Sequence, residues 1–301
     1  QSVGPSSAAG RGSQRTARGS QGLNENHARE LLELHTVGVD AGYSQDDVTE
    51  LARILTGWTV AGIGPRGGPP DPSWSAELDF AFASFLHEPG DKRVMGVRYE
   101  ESGEDEGIRV IRDLCRRPEA AAFVAGKLVR HFVADDPPAP AVARVAGVFQ
   151  ETGGDLREVA RALVHLDEAW DPEHRKLRTP QDWLVAAVRG LGGQAVGPTL
   201  PPLLAQLRHP LWAPPGPNGF GDTVREWADP GSLMNRAELA RTLAGRVMPA
   251  QRGGRRVAPD LLASLVELPP GDPLPGLLAD DSIDVDERVA LVLAGPAFQW
   301  R

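Results

Sequence analysis

The chain has 301 residues, 41% of them hydrophobic and 24% charged, which is enough to bury the core of one large domain or two average ones. A net charge of −9 with no clustered Lys/Arg footprint argues against a nucleic-acid surface. The single cysteine, Cys115, excludes an intramolecular disulfide and a cysteine-based zinc site.

Residues 1–22 are rich in Gly, Ser and Arg, and their composition predicts a flexible segment with no apolar signal-peptide core. No apolar run along the chain is long enough to span a membrane. The first helix is predicted from Asn24 to Val37, stopped by Gly38 as a left-handed cap. "SQDDVTELARILTGW" opens with Ser44 and Asp47 at capping-box spacing and carries the apolar stripe Val48, Leu51, Ala52 and Leu55. Residues 61–73 read as a Gly/Pro-rich loop. In "LDFAFASFLHEPGDKRVMGVRYE" the period changes to two, which predicts one small β-hairpin over about residues 78–99. With "EPGD" as its turn, His87 would sit opposite Lys92. Helices follow in "EGIRVIRDLCRR", "PEAAAFVAGKLVRHFV", "APAVARVAGVFQE", "DLREVARALVHLDEAW" and "TPQDWLVAAVRGLGG", with Pro118 and Pro180 at N1 and Asp155 and Thr179 as caps. Residues 192–202 read as a loop. "WAPPGPNGFGDTVREWADPGS" reads as an ordered loop with Trp212, Phe220 and Trp227 packed inward. Helices at about 232–246, 257–267 and 284–294 complete the chain. The fold class is mainly α: a single multi-helix domain over 23–301 with one small β-hairpin insertion and long ordered Pro/Gly-rich loops.

Projected at 100° per residue, the first helix buries Ala28, Leu31, Leu32 and Leu34, with His27 and His35 on or beside that side. Asn26, Arg29, Glu30 and Glu33 form a continuous polar arc. Glu30 and Glu33 could hold a divalent metal or split their pKa values as acid and base, with Arg29 pairing Glu33. A solvated face with one salt bridge has the same pattern. His87 beside Lys92 suits an anion or a base next to a cation. Lys127 and His131, four apart, fit a boundary pair reaching solvent. Asp135 and Asp136 read as a turn and helix entrance, and Asn218–Gly219 as a tight turn or a set of exposed backbone donors. No nucleophile elbow, P-loop, dinucleotide fingerprint or C-x-x-C is present.

The segments "NENHARELLELHTVG", "GYSQDDVTELARILTGW", "HEPGDKRVMG", "AAFVAGKLVRHFVADDPP", "TGGDLREVARALV" and "LWAPPGPNGF…REW" resemble, in order, domain-of-unknown-function family 1800 over residues 1–245. "QSVGP" is similar to the continuation of an N-terminal family segment, which implies that a further helical portion precedes this chain in the whole protein. The resemblance implies a bacterial protein exported to the periplasm or beyond, with an exported phosphatase- or sulfatase-like protein as a partner. It also gives weight to Asn24, Asn26, Arg29, Glu30, Glu33, Arg53, Trp58, His87, Lys92, Lys127, Asp136 and Asn218. His27 departs from the family pattern and His35 matches only part of it.

Two functions are therefore expected. One is an enzyme acting on a polar carbohydrate or ester substrate through a Glu/Arg/His cleft. In it Glu30, Glu33 and His87 are catalytic, and Asn26, Arg29, Arg53, Lys92, Lys127 and Asn218 bind. The other is a non-catalytic accessory or scaffold protein that partners an exported phosphatase- or sulfatase-like protein or a surface polymer, in which the same polar residues lock helices together and Trp212, Phe220 and Trp227, otherwise read as packed, are candidates for a contact surface.

Overall fold

The computed structural model describes residues 2–15, 23–60, 80–192, 200–250, 266, 268 and 270–301. The described chain divides into two compact units, Gln1–Lys127 with Val142–Val164 and Leu128–Ala141 with His165–Arg301. It is mainly helical, and no helix among the described residues is long and apolar enough to cross a membrane.

In the first unit, helix α1 spans Ala8–Arg15, inside the stretch whose composition predicts flexibility. Its order comes from outside its own sequence. Val3 is buried with Ala83 and Leu86, the Gly4 amide donates to the Leu86 carbonyl at 2.9 Å, and the Ser6 amide donates to Glu88 Oε2 at 2.7 Å. The Ser7 hydroxyl then accepts from the Gly10 amide at 3.0 Å, capping the helix. A Cβ on Gly4 would stand 2.7 Å from the Glu88 backbone, so the segment must carry glycine there to lie this close.

Helix α2, Glu25–Glu30, is capped by the Asn24 side chain and continues as a wider π turn over Leu31–His35. A π turn rotates less per residue than 100°, so the projected face drifts. Ala28 and Leu32 are buried, but Leu31 and Leu34 are only half-buried, and His27 and His35 are exposed. The Gly38 amide closes the turn on the Leu32 carbonyl at 2.9 Å with φ 85°. Helix α3, Gln45–Ile54, opens with the predicted Ser44/Asp47 capping box and buries Val48, Leu51, Ala52 and Ile54.

The expected single hairpin is instead two separate antiparallel ribbons. Strand β1, Trp58–Val60, pairs with β2, Phe80–Phe82, and β3, Lys92–Val94, pairs with β4, Val97–Tyr99. The tight hairpin turn is Met95–Gly96, with φ values of 45° and 86°, two consecutive left-handed residues that match the strand twist. "EPGD" supplies only one such residue, Gly90, and it redirects the chain between a short 3-10 turn at Ser84–Leu86 and β3. Lys92 consequently faces Tyr99 across the ribbon, not His87. Strand β3 packs on α3, where Asp47 Oδ1 accepts the Met95 amide at 2.6 Å and Glu50 Oε2 accepts the Arg93 amide at 3.2 Å.

Helices α4 (Glu104–Cys115), α5 (Pro118–Phe132), α6 (Ala139–Glu151) and α7 (Leu156–Val164) follow as predicted. In the second unit α8 (Pro180–Gly190) is capped by Thr179. Helix α9 (Leu200–Gln206) starts inside the predicted loop at 192–202, with Pro201 and Pro202 in its first turn, where a missing N–H is no loss, and residues 193–199 of that loop lie outside the described residues. Helices α10 (Val224–Trp227), α11 (Pro230–Ala250), α12 (Leu274–Leu278), α13 (Val285–Ala294) and α14 (Pro296–Gln299) complete this unit. Its core packs α11 on α13 around Leu239, Leu243, Val289 and Leu293. Trp183 is fully buried there and donates to the Leu293 carbonyl at 3.1 Å. The predicted loop at 61–73 and most of the predicted helix at 257–267 lie outside the described residues.

Gly107 on α4 lies flat against the Trp58 indole, and a Cβ there would meet ring atoms at 2.4–2.9 Å. Gly107→Ala is expected to destabilise the chain by about 1–3 kcal/mol through overpacking, measurable as a lower midpoint in urea unfolding.

Candidate functional site

The end of α3 and the residues after it gather most of the buried charge of the first unit. His87, Glu88, Lys92 and Glu106 are all buried, and the Lys92 and Glu106 side chains are 0% exposed. His87 Nδ1 lies 2.8 Å from the Thr56 carbonyl, which can only accept, so Nδ1 carries the proton. Nε2 lies 3.3 Å from Lys92 Nζ and 3.2 Å from Glu106 Oε2. The neutral ring accepts from the ammonium, whereas the protonated ring donates to the carboxylate. One proton on Nε2 therefore selects between two hydrogen-bond arrangements in the same geometry.

Lys92 Nζ also donates to the Glu88 carbonyl at 2.6 Å and pairs with Glu106 at 3.1 Å. The Thr56 hydroxyl accepts the Glu88 amide at 2.7 Å and donates to the Arg53 carbonyl. Arg53 bonds Glu50 at 2.6 Å and lies 3.7 Å from Glu88. The segment around His87 is thus tied to α3, β3 and α4 at once.

His87 also lines a hollow of about 250 Å³, with Ser6, Arg11, Phe82, Ser84 and Glu101 around it. Phe82 meets the imidazole edge-on at 5.4 Å. Arg11 donates to the Ser6 carbonyl, and Glu101 accepts the Gly90 amide at 2.7 Å, so each is placed by backbone.

Of the residues singled out in the sequence, the structure brings together His87, Lys92 and Arg53. The α2 arc is a separate polar face. Glu33 accepts from the Tyr43 hydroxyl and lies 3.3 Å from Arg29, and Arg29 donates to Gln45 at 2.6 Å. Glu25 joins that face through Gln45 at 2.9 Å and Thr49 at 3.2 Å. Glu30 is half-buried, and its carboxylate meets no partner among the described residues. Asn26 and Lys127 are exposed, with the Lys127 ammonium 5.1 Å from the Phe123 ring centroid. Asn218 lies in an exposed turn of the second unit. Among the described residues no group of three or more His, Cys, Asp or Glu side chains is placed to hold a metal ion.

Sequence reasoning missed Glu106, although a signal was present. Glu106, Val110 and Leu114 are four apart, and all three are buried on one stripe of α4. An acid in line with apolar residues points to a buried partner. It also missed a second polar cluster, in the second unit. There His131 Nδ1 lies 3.0 Å from Asp222, and Lys176 pairs with Asp135 and donates to the Asp222 carbonyl at 2.6 Å. The sequence separation of 91 from His131 to Asp222 hides that pair from any local pattern. Trp227 is buried and Phe220 half-buried as expected, both against His209, but Trp212 is 97% exposed, contrary to the expectation of inward packing.

The chain matches, over residues 1–300, the family described as "Protein of unknown function (DUF1800)", and it belongs to that family. The match extends beyond the 245 residues that carry the sequence motifs. No curated protein and no solved structure matches the chain.

Two predictions follow from these clusters. Lys92→Met leaves the Glu106 carboxylate buried without its cation and is expected to cost about 3–5 kcal/mol in denaturant unfolding. Lys92→Met with Glu106→Leu should recover much of that loss. Burial beside Phe220 and Trp227 pushes the His209 pKa below its ordinary value, against a smaller upward pull from Asp182. The unfolded chain therefore takes up this proton first. The contribution of His209 to stability is complete above about pH 6.5 and is lost as the pH falls through the depressed folded-state value. Melting curves from pH 7.5 to 5 should show that loss in the wild type and a smaller one in His209→Phe.

Proposed function

We propose that the chain is an enzyme acting on a small hydroxyl-bearing substrate, a sugar or sugar ester, held in the hollow beside His87. The observation that carries this reading is an imidazole with a fixed tautomer, two available proton arrangements and a wall position in a polar hollow. A ring held this way transfers a proton without reorienting, which is what general acid–base catalysis requires. Phe82 offers an apolar face, and Ser84, Arg11 and Glu101 offer donors and acceptors of the kind that orient sugar hydroxyls. In this reading Lys92 and Glu106 are positioning residues, and Glu30 and Glu33 belong to the separate α2 face.

A second reading has its own observation: both ring nitrogens of His87 already have protein partners, and the Lys92 and Glu106 side chains are wholly buried. Such a cluster also serves as a lock, and the protein would then be an accessory to an exported phosphatase- or sulfatase-like partner.

Saturation-transfer NMR with glucose, galactose, xylose and N-acetylglucosamine, together with turnover of nitrophenyl acetate and nitrophenyl glycosides, separates the two. The enzyme reading expects a signal for at least one probe, lost in Arg11→Ala without a change in melting temperature, and turnover abolished in His87→Gln. The lock reading expects no binding or turnover, and a lowered melting temperature in His87→Gln.

A further inference from the structure

Part of the wall of the hollow beside His87 is the segment 3–11, which supplies Ser6, Ser7, Ala8 and Arg11. The rest, including Phe82, Ser84 and His87, lies between residues 82 and 103. This second part is tied down without the first. The Ala83 amide donates to the Gly57 carbonyl at 2.8 Å, the His87 amide to the Ser84 carbonyl at 3.1 Å, and the Glu88 amide to the Thr56 hydroxyl at 2.7 Å. Segment 3–11 is instead closed upon Gly4. The Ser7 amide and hydroxyl both donate to the Gly4 carbonyl, at 3.0 and 2.6 Å, and the Gly10 amide donates to the Ser7 hydroxyl at 3.0 Å. What joins the two parts is slight. Among the described residues it is the Gly4 bond to Leu86, the Ser6 bond to Glu88 and the small apolar cluster of Val3 with Ala83 and Leu86. An eight-residue helix does not hold itself in water, so α1 lasts only while Gly4 is docked. The Glu88 carboxylate has a second partner to close upon once Ser6 leaves, because its Oε1 already lies 3.7 Å from Arg53.

We propose that segment 3–11 is a strap that docks and orders, or undocks and melts, as one unit, and so gates the hollow beside His87. A unit with few buried apolar side chains and few bonds to the body lies at the low end of local stability, where segments open without global unfolding. When the strap leaves, the hollow loses Ser6, Ser7, Ala8 and Arg11, and His87 is reached from that side. The Lys92–Glu106 pair does not involve the strap and stays formed. Docking returns Arg11 to the hollow and completes the wall around whatever has entered, as closing segments do in many binding sites. The role of the gate rests on the reading of the hollow as a binding site, whereas the motion itself does not.

Hydrogen exchange of the whole chain, read by mass spectrometry, tests it. The amides of residues 4–11 should exchange together and roughly a hundredfold or more faster than those of α3, while residues 84–88 stay protected. In Gly4→Ala the added Cβ would stand 2.6 Å from Glu88 Oε2 and 2.7 Å from the Glu88 backbone, so the strap should be undocked. In that variant α3 and residues 84–88 should keep their protection, and carbethoxylation of His87 by diethylpyrocarbonate should quicken severalfold. His209, in the second unit, should react at the wild-type rate. Val3→Ala, which trims the contact with Ala83 and Leu86, should shift the strap exchange and the His87 rate in the same direction by less. The proposal is overturned if the wild-type strap exchanges as slowly as α3, or if residues 84–88 lose protection with it in Gly4→Ala. It is also overturned if His87 reacts at the wild-type rate in both variants. No readout uses a substrate, so an absence of sugar binding or turnover would count against the enzyme reading alone.

Discussion

The first unit is organised around a charge pair that water does not reach. Removing an ammonium and a carboxylate from water costs several kcal/mol each, and their attraction offsets this only where the remaining donors and acceptors are also satisfied. Lys92 meets that demand by recruiting the Glu88 carbonyl and His87 Nε2, and His87 in turn recruits the Thr56 carbonyl, whereas Glu106 Oε1 has the ion pair with Lys92 but no hydrogen bond among the described residues. Three segments, at Thr56, at residues 87–92 and at Glu106, must therefore converge within hydrogen-bond distance. An apolar contact among them would tolerate sliding by an ångström, but this set of bonds fixes one register.

That constraint extends to the first residues described. Glu88 presents its backbone to Lys92 and Thr56, which leaves its carboxylate facing the other way, toward the Ser6 amide and Arg53. The segment around Gly4 can dock only because Glu88 is held in this orientation, and α1 forms on that docked segment. A Gly/Ser-rich stretch with little intrinsic helical preference is ordered through contacts made more than eighty residues away. The hollow beside His87 exists for the same reason, since Ser6 and Arg11 close one side of it.

Local chemistry was the legible part of the fold. The Ser44/Asp47 capping box, Thr179 before Pro180, and Gly38 at positive φ are each written in a few adjacent residues, and each stands where the sequence puts it. The single hairpin was misread because alternation marks strands without naming their partners. Strand β1 lies twenty residues or more before β2, and the residues that pair them carry no shared signature. His87 and Lys92 were expected to meet across a ribbon. They do meet, but through the turn at Pro89–Gly90 and a common carboxylate, because the backbone register assigns Lys92 to Tyr99.

The candidate site was half legible for a physical reason. Helix α3 carries two functions on two faces, and its apolar stripe was readable by period. Its polar side carries Gln45, Thr49 and Arg53, and Thr56 follows just past its end, a spacing of three or four that looks like an ordinary wet face. In the structure the first two residues bind the α2 arc and the last two belong to the His87 cluster. Solvation and partnership give the same residue types at the same spacing, so the period cannot tell them apart. What does tell them apart is an ionisable residue in register with apolar ones, as Glu106 is with Val110 and Leu114. Desolvating a lone carboxylate is so unfavourable that such a residue requires a cation, and the sequence then offers few unassigned ones. Lys92 was already suspect from the company of His87, and the two readings together lead to the cluster.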